Sequence, residues 1–187
     1  MRAAVCREHG PPDVVKVVDD HPDPEVGDGQ VRVRVGAAAV NFPDVLLVAN
    51  EYQIEVPTPF VPGSEFAGTV ESVGPGVPSS GSGTAGSGTA GFAVGDRVFG
   101  STLAGAFAEL VVVPASSLTR IPDGVDDRVA AAFGVAHRTA YHVLRSVARL
   151  QPGEELVVLG AGGGVGLAAG QLGALAGAAV TAVASSA

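Results

Sequence analysis

The sequence predicts a mixed β and α/β chain, in which a strand-rich barrel or sandwich domain precedes the start of a doubly wound parallel sheet. Three observations indicate this arrangement. Short β-type runs separated by turn residues fill positions 1–125, and a helical pattern begins at Asp126. Near the end of the chain, a glycine-rich turn joins a β run to a helix. We therefore expect two domains, 1–125 and 126–187.

The strands of the first domain are predicted from apolar runs bounded by turn residues. From Gln30 to Val35, polar and apolar residues alternate strictly, which predicts one buried face and one wet face. The segment DVLLVA fits a short helix that begins near Asp44. The predicted strands lie in the runs AAVCR, VVKVVDD, QVRVRVGAAAV, FAGTVESVG, DRVFG and AELVVVP.

Residues 78–91 form a low-complexity insertion in which GSGTA occurs twice in succession. Repeated Gly, Ser, Thr and Ala residues cannot pack a core and give a flexible chain. Because the segment lies between the runs VESVG and DRVFG, we expect it to enlarge a hairpin loop. A tolerated surface insertion is favoured over a functional lid.

The second domain begins with a helical pattern. Asp126 and Asp127 precede an alanine-rich start and suit a helix N-terminus, where carboxylates meet free N–H groups. The pattern ends before the turn at 151–153. Apolar residues recur at helical spacing at Ala140, Val143, Leu144 and Val147.

The composition excludes several classes of protein. A net charge of −8 disfavours a nucleic-acid backbone or an acidic membrane surface as partner. The one cysteine, Cys6, lies in an apolar run, so no intrachain disulfide can form and a buried strand thiol is expected. The first residues contain no apolar run typical of a signal peptide, and a cytoplasmic location is expected.

The uncharged stretch 156–187 has two interpretations, a membrane span or a buried β-α-β unit. The second is favoured, because glycines interrupt the run and its apolar residues fall in two β-type blocks, LVVL and VTAVA. Between these blocks, the stretch from Ala161 to Gly166 nearly matches the pattern G-x-G-x-x-G, with alanine in place of the first glycine. A turn of this kind lets a dinucleotide pyrophosphate approach the backbone at a helix N-terminus, although a packing turn would look similar.

These motifs together resemble the medium-chain dehydrogenase/reductase superfamily, and most closely its zinc-independent NADPH:quinone oxidoreductases related to zeta-crystallin. The resemblance covers nearly the whole chain and implies a GroES-like β-barrel domain followed by an incomplete Rossmann unit. It is carried by MRAAVCREHGPPDV, AAVNFPDVL, PFVPGSEFAGTVESVGPGV, VGDRVFG, GAFAELVVVP, RTAYHVL and LQPGEELVVLGAGGGVGLAA.

The resemblance implies hydride transfer from NADPH to a conjugated carbonyl of a small quinone or enone. In such an enzyme the protein orients the reactants and stabilises the developing oxyanion. The implied catalytic residues are Asn41, Asp44, Tyr52 and Thr139. The implied cofactor-binding residues are Gly160, Gly163, Gly164, Val165, Gly166, Ser185 and Ser186.

Each implied catalytic residue also has a purely structural interpretation. Asn41 could cap a turn, and Asp44 could cap the helix that follows it. Tyr52 could be an exposed loop aromatic, and Thr139 an ordinary residue of a first helical turn. Some relatives carry a tyrosine where this chain has Leu46, so the quinone pocket is expected to differ from theirs.

The cofactor preference is predicted from the residues that follow the second β run, VTAVA. An acidic residue there binds the ribose hydroxyls of NAD, whereas this chain has Ser185 and Ser186. Small hydroxyls accept the 2′-phosphate of NADP, so NADPH is expected.

Two other functions remain open. Enoyl-thioester reductases of the same superfamily use a tyrosine at the position of Tyr52 as proton donor. A non-catalytic remnant that serves as a binding domain is the alternative from a different class. Members of the superfamily are longer than this chain, so we expect it to be truncated and inactive alone, and the full-length protein to be a homo-oligomer.

We expect the purified protein to contain no stoichiometric zinc. Zinc alcohol dehydrogenases carry Gly-His-Glu where this chain has Gly63-Ser64-Glu65, and the Ser64 hydroxyl cannot replace an imidazole ligand. The histidines lack metal-ligand spacing; they are His9, His21, His137 and His142. Elemental analysis of protein purified without chelators tests this, and about one zinc per chain would contradict it.

Overall fold

The computed structural model describes residues 1–78 and 91–185. The chain divides into two compact units, Met1–Ala132 and Phe133–Ala187. Most of the predicted insertion at 78–91, and the cofactor candidate Ser186, lie outside the described residues. The division comes one short helix later than the predicted boundary after residue 125.

The first unit is built on a five-stranded antiparallel sheet with the strand order β6-β3-β4-β5-β7. Strands β1 and β2 form a separate antiparallel pair, and β1 also bridges to Phe60 and Ala108. Its elements are β1 (Ala3–Cys6), β2 (Val15–Val18), β3 (Gln30–Ala39), α1 (Phe42–Ala49), β4 (Glu65–Val73), β5 (Arg97–Ser101), β6 (Leu110–Pro114), β7 (Leu118–Arg120) and α2 (Asp127–Ala131).

The predicted strands of this unit are confirmed, and β7 is the one that sequence analysis missed. With three residues, β7 is too short to show a periodicity, and it exists because it pairs with β5. The β4–β5 pairing also confirms the predicted hairpin around the low-complexity insertion. Cys6 is buried, as expected.

Alternation in β3 separates the core from the surface. Val31 and Val33 are fully buried, whereas Arg32 and Arg34 both form ion pairs with Glu71 on β4. Cross-strand ion pairs of this kind hold the register of neighbouring strands. The main apolar cluster comprises Val31, Val33, Phe66, Val70, Phe92, Val98, Ala106, Val111, Val113 and Leu118.

Helix α2 belongs to the first unit because its alanine face packs against the sheet. Ala130 and Ala131 are buried in a cluster with Ala67 and Ile121. The Asp126 side chain accepts a hydrogen bond from the Arg128 N–H at 2.8 Å, which confirms the predicted helix start. This packing explains why the unit extends to Ala132.

The second unit contains α3 (Gly134–Tyr141), which continues as a π-helical segment (His142–Val147). After a turn, β8 (Glu155–Leu159), α4 (Gly164–Leu175) and β9 (Ala179–Val183) form the predicted β-α-β unit, with β8 and β9 parallel. The helical pattern predicted from Asp126 onward is therefore divided between α2 and α3 rather than continuous. None of the described residues belongs to a helix long and apolar enough to cross a bilayer.

We expect Gly68→Ala to destabilise the first unit by about 2–4 kcal/mol, because overpacking forces backbone shifts. A Cβ atom at Gly68 would lie 2.0 Å from the carbonyl oxygen of Arg34 on the paired strand β3. Denaturant unfolding measures the change. The control is Thr69→Ala at the exposed neighbouring position, which should cost no more than about 1 kcal/mol; equal effects of the two variants would contradict the steric explanation.

Candidate functional site

A polar cluster lies where β3 leads into α1. Asn41 is the N-cap residue of α1, and Asp44, three residues later, completes a capping box. The Asp44 Oδ2 atom accepts the Asn41 backbone N–H at 2.7 Å. Both residues therefore have a structural role, but the helix begins at Phe42 and its cap is Asn41, not Asp44 as predicted; any catalytic role comes in addition.

Asp44 is unusual because its side chain is only 2% exposed. Burial raises the pKa of the Asp44 carboxyl, while the hydrogen bond from the Asn41 N–H and the neighbouring Ser64 act in the opposite direction. Among the described residues, Asp44 Oδ1 and Ser64 Oγ have no hydrogen-bond partner of good geometry. The site thus holds a carboxyl group whose protonated form is favoured relative to a solvent-exposed aspartate.

A second buried carboxylate, Glu65, completes this cluster. Glu65 is 1% exposed, and its Oε2 atom accepts a hydrogen bond from Asn41 Nδ2 at 3.1 Å. Sequence analysis considered Glu65 only as part of the zinc comparison and missed its contact with Asn41. The available signal was a charged residue at the start of an otherwise apolar strand run, since such residues are rarely buried without a partner.

An apolar cavity of about 210 Å³ opens beside Asp44. Its walls come from α1 and the segment before it, from the turn that leads into β2, and from the loops before β4 and β6. The lining residues are Pro12, Val15, Val40, Asp44, Val45, Val48, Pro62 and Phe107. A cavity of this size and character suits the body of a small apolar molecule.

The other two predicted catalytic residues lie in different surroundings. Tyr52 is half-buried and packs against the apolar cluster of Cys6, Leu47, Val48 and Phe60, so it is not an exposed loop aromatic. Thr139 belongs to the second unit, where its exposed hydroxyl donates to the Val135 carbonyl at 2.7 Å. It lies in the second turn of α3, not the first. The structure thus brings Asn41 and Asp44 into direct contact and leaves Tyr52 and Thr139 outside this hydrogen-bonded group.

The glycine turn connects β8 to α4 in the second unit. Gly160 has a φ of +70°, a conformation that favours glycine. A Cβ atom at Gly166 would lie 2.3 Å from the Gly160 carbonyl oxygen, so this glycine is needed for close packing of α4 on the turn. Gly163 differs, because its Cβ would lie at an ordinary 3.5 Å from the same oxygen. The fold therefore requires Gly160 and Gly166 and leaves Gly163 unconstrained.

The start of α4 fits the pyrophosphate of a dinucleotide. Gly163 is the N-cap, and Gly164 and Val165 are the first helical residues, whose N–H groups have no partner within the helix. No Cβ crowds the turn at Gly163, which leaves its backbone open to a ligand. Ser185 follows β9 and is exposed. These residues could hold a nicotinamide dinucleotide.

The described residues contain no group of three or more His, Cys, Asp or Glu side chains placed to hold a metal ion. Ser64 and Glu65 occupy the positions compared above with the zinc alcohol dehydrogenases.

The family model for the alcohol dehydrogenase GroES-like domain matches residues 27–123, which include the whole of β3, α1, β4, β5, β6 and β7. This match covers more than half of the chain. The chain belongs to the alcohol dehydrogenase GroES-like domain family. The first unit is thus a GroES-like domain, as the resemblance implied, and the polar cluster at α1 lies within it.

Comparison with known proteins extends the relationship into the second unit. A quinone oxidoreductase-like protein 2 homolog from Nematostella vectensis is 38% identical over 174 residues, covering 92% of this chain and 44% of that protein. The quinone oxidoreductase structure from Thermus thermophilus, solved also as a complex with NADPH, superposes with a TM-score of 0.82 at 34% identity and covers 100% of this chain and 54% of that one. The resemblance to quinone oxidoreductases is therefore confirmed.

A polyketide synthase component is also similar. PikAII of the pikromycin synthase from Streptomyces venezuelae is 41% identical over 151 residues, which covers 81% of this chain and 4% of that protein. The chain spans about half the length of the quinone oxidoreductases it matches.

We expect Asp44→Asn to change the pH dependence of folding stability. Because burial raises the folded-state pKa of Asp44 above its ordinary 3.8, wild-type stability should fall as pH rises from 3.8 through the folded-state value. The variant keeps an acceptor for the Asn41 N–H but carries no titrating group. Its free energy of unfolding, measured in urea across pH 2–8, should lack this decline.

Asp126→Asn provides a control with the opposite sign. A hydrogen bond from the Arg128 N–H lowers the pKa of Asp126, so wild-type stability from this group is present above pH 3.8 and lost as pH falls. If the wild-type and Asp44→Asn curves run parallel, the buried carboxyl does not titrate as described.

Proposed function

We propose that the protein is a zinc-independent, NADPH-dependent reductase of small quinones or enones. The observation that carries this proposal is the glycine turn, in which Gly163 lies at a helix N-terminus without any steric need for glycine in the fold. A pyrophosphate bound against the backbone would explain the glycine, because a side chain at this position would block its close approach. The similarity to quinone oxidoreductases, one of which was solved with NADPH, supports the same cofactor.

In this proposal the chain binds NADPH along the second unit. Backbone N–H groups at Gly164 and Val165 receive the pyrophosphate, Gly163 lets it approach closely, and Gly160 and Gly166 shape the turn. Ser185 and Ser186 accept the 2′-phosphate. When bound, NADPH supplies the hydride.

The GroES-like unit provides the polar groups for the carbonyl substrate. The Asn41 amide donates to the substrate oxygen and stabilises its developing negative charge. Asp44 holds the main chain of Asn41 in place and borders the apolar cavity. Tyr52 contributes a hydroxyl group that can hold or deliver a proton, and the same role is proposed for the Thr139 hydroxyl in the second unit. The acceptor is a small molecule, and the proposal includes a homo-oligomeric, cytoplasmic protein.

Enoyl-thioester reduction is a second candidate, favoured by the similarity to PikAII and by the presence of Tyr52 as a proton donor. The complete gene product distinguishes the two candidates. NADPH consumption with 1,4-benzoquinone supports the first, and consumption only with a crotonyl thioester supports the second. If the protein does not bind NADPH, the remaining candidate is the non-catalytic binding domain.

We expect Gly163→Ala to weaken NADPH binding at least about tenfold without lowering the melting temperature, because the methyl group is accepted by the fold but blocks close approach of the pyrophosphate. Nicotinamide fluorescence titration measures the affinity. Gly170→Ala is the matched control, since it adds a methyl group to open space further along α4 and should leave affinity unchanged. Equal affinities for Gly163→Ala and wild type would refute the role of the turn.

A further inference from the structure

We propose that Glu65 is a positioning residue that fixes the orientation of the Asn41 amide toward the substrate. The inference rests on the proposed function, in which Asn41 contacts the substrate carbonyl. The proposed zinc-free reaction needs no group at Glu65, and cofactor binding does not involve it. The inference therefore gives this buried carboxylate a role of its own.

The sheet places Glu65 beside Asn41. Glu65 is the first residue of β4, where it pairs with Ala39 on β3 and with Ser101 on β5. The Ala39 pair is the last in the β3–β4 ladder, and β3 then leads through one residue into Asn41. Two strand partners therefore hold the Glu65 backbone, and its side chain is 1% exposed. A side chain held in this way has little freedom to move away from its partner.

The hydrogen bond from Asn41 Nδ2 to Glu65 Oε2 determines which way the amide points. An amide has a donor end and an acceptor end, whereas a carboxylate offers only acceptors, so the NH₂ group must face Glu65. The same nitrogen lies 3.5 Å from the Ala39 carbonyl oxygen, at the long limit of a hydrogen bond. One N–H of the Asn41 amide is thus held by Glu65. The other makes only a long contact with the Ala39 carbonyl oxygen and can donate to a substrate oxygen.

Main chain and side chain of Asn41 are held by different carboxylates. Asp44 accepts the backbone N–H at 2.7 Å, and Glu65 accepts the side-chain N–H at 3.1 Å. Replacing the Glu65 carboxylate by an amide should therefore loosen the orientation of the Asn41 side chain, because an amide can present a donor as well as an acceptor, while the helix start stays capped. This separation makes the role of Glu65 testable apart from the stability of α1.

The kinetic test compares Glu65→Gln with Glu71→Gln in the complete gene product, using NADPH and 1,4-benzoquinone. Glu71 lies on the same strand but pairs with Arg32 and Arg34, so it is a matched carboxylate-to-amide control. Glu65→Gln should lower kcat at least about tenfold with NADPH affinity unchanged, since a lost charge-assisted hydrogen bond has effects of that order. Glu71→Gln should remain within about twofold of wild type.

A double-mutant cycle with Asn41→Ala shows whether Glu65 acts through the amide. Once the amide is absent, Glu65→Gln should have no further effect on kcat. An equal loss in both backgrounds, or no loss in the wild-type background, would overturn the proposal. If Glu65→Gln does not fold, Glu65→Asp, which keeps the charge but shortens its reach, takes its place in the cycle.

A spectroscopic arm separates this inference from the proposed function. The Asn41 side-chain amide signals of ¹⁵N-labelled protein are identified by their absence in Asn41→Ala. They should shift in Glu65→Gln and stay in place in Glu71→Gln. Unchanged signals in Glu65→Gln overturn the positioning role, whatever the activity. A wild-type enzyme that reduces neither a quinone nor an enone overturns the proposed function, while the amide signals still test the contact.

Discussion

The pairing of β3 with β4 is the constraint on which the rest of the first unit depends. Along this ladder, Val31 and Val33 enter the core opposite the apolar residues of β4, and Gly68 allows the two backbones to approach closely. At the far end, the same register places Glu65 next to the segment that leads into α1. Packing in the core and geometry at the site therefore both depend on the pairing of these two strands, whose register shifts twice along the ladder.

The polar cluster at α1 combines a structural task with the chemical one that we propose for it. A capping box needs only exposed, solvated carboxylates, yet Asp44 and Glu65 are both buried around Asn41. Burying two carboxyl groups is unfavourable unless hydrogen bonds compensate. The N–H groups of Asn41 supply part of that compensation, which ties the conformation of this one residue to both acids. Several contacts that fix one residue are expected where the orientation of its side chain matters for catalysis.

The glycine turn shows a similar division of roles among chemically identical residues. Gly160 and Gly166 are explained by backbone conformation and by helix packing, both internal to the fold. Gly163 is required by neither, and we propose that it gives a bound pyrophosphate close access to the backbone. The glycine pattern in the sequence does not show which glycines are required by the fold and which are not. The interatomic distances that distinguish them are set only when α4 packs on the turn.

The sequence by itself determined the local structure of this protein: the strand runs, the cap at Asp126, and the β-α-β unit with its glycine turn. Alternation, capping and turn formation each involve only a few neighbouring residues, so they can be recognised in the sequence. Only the tertiary structure decided that β7 exists, that α2 joins the first unit, and that Glu65 contacts Asn41 across 24 residues of chain. Each of these depends on partners distant in sequence, which become neighbours only when the sheet has formed.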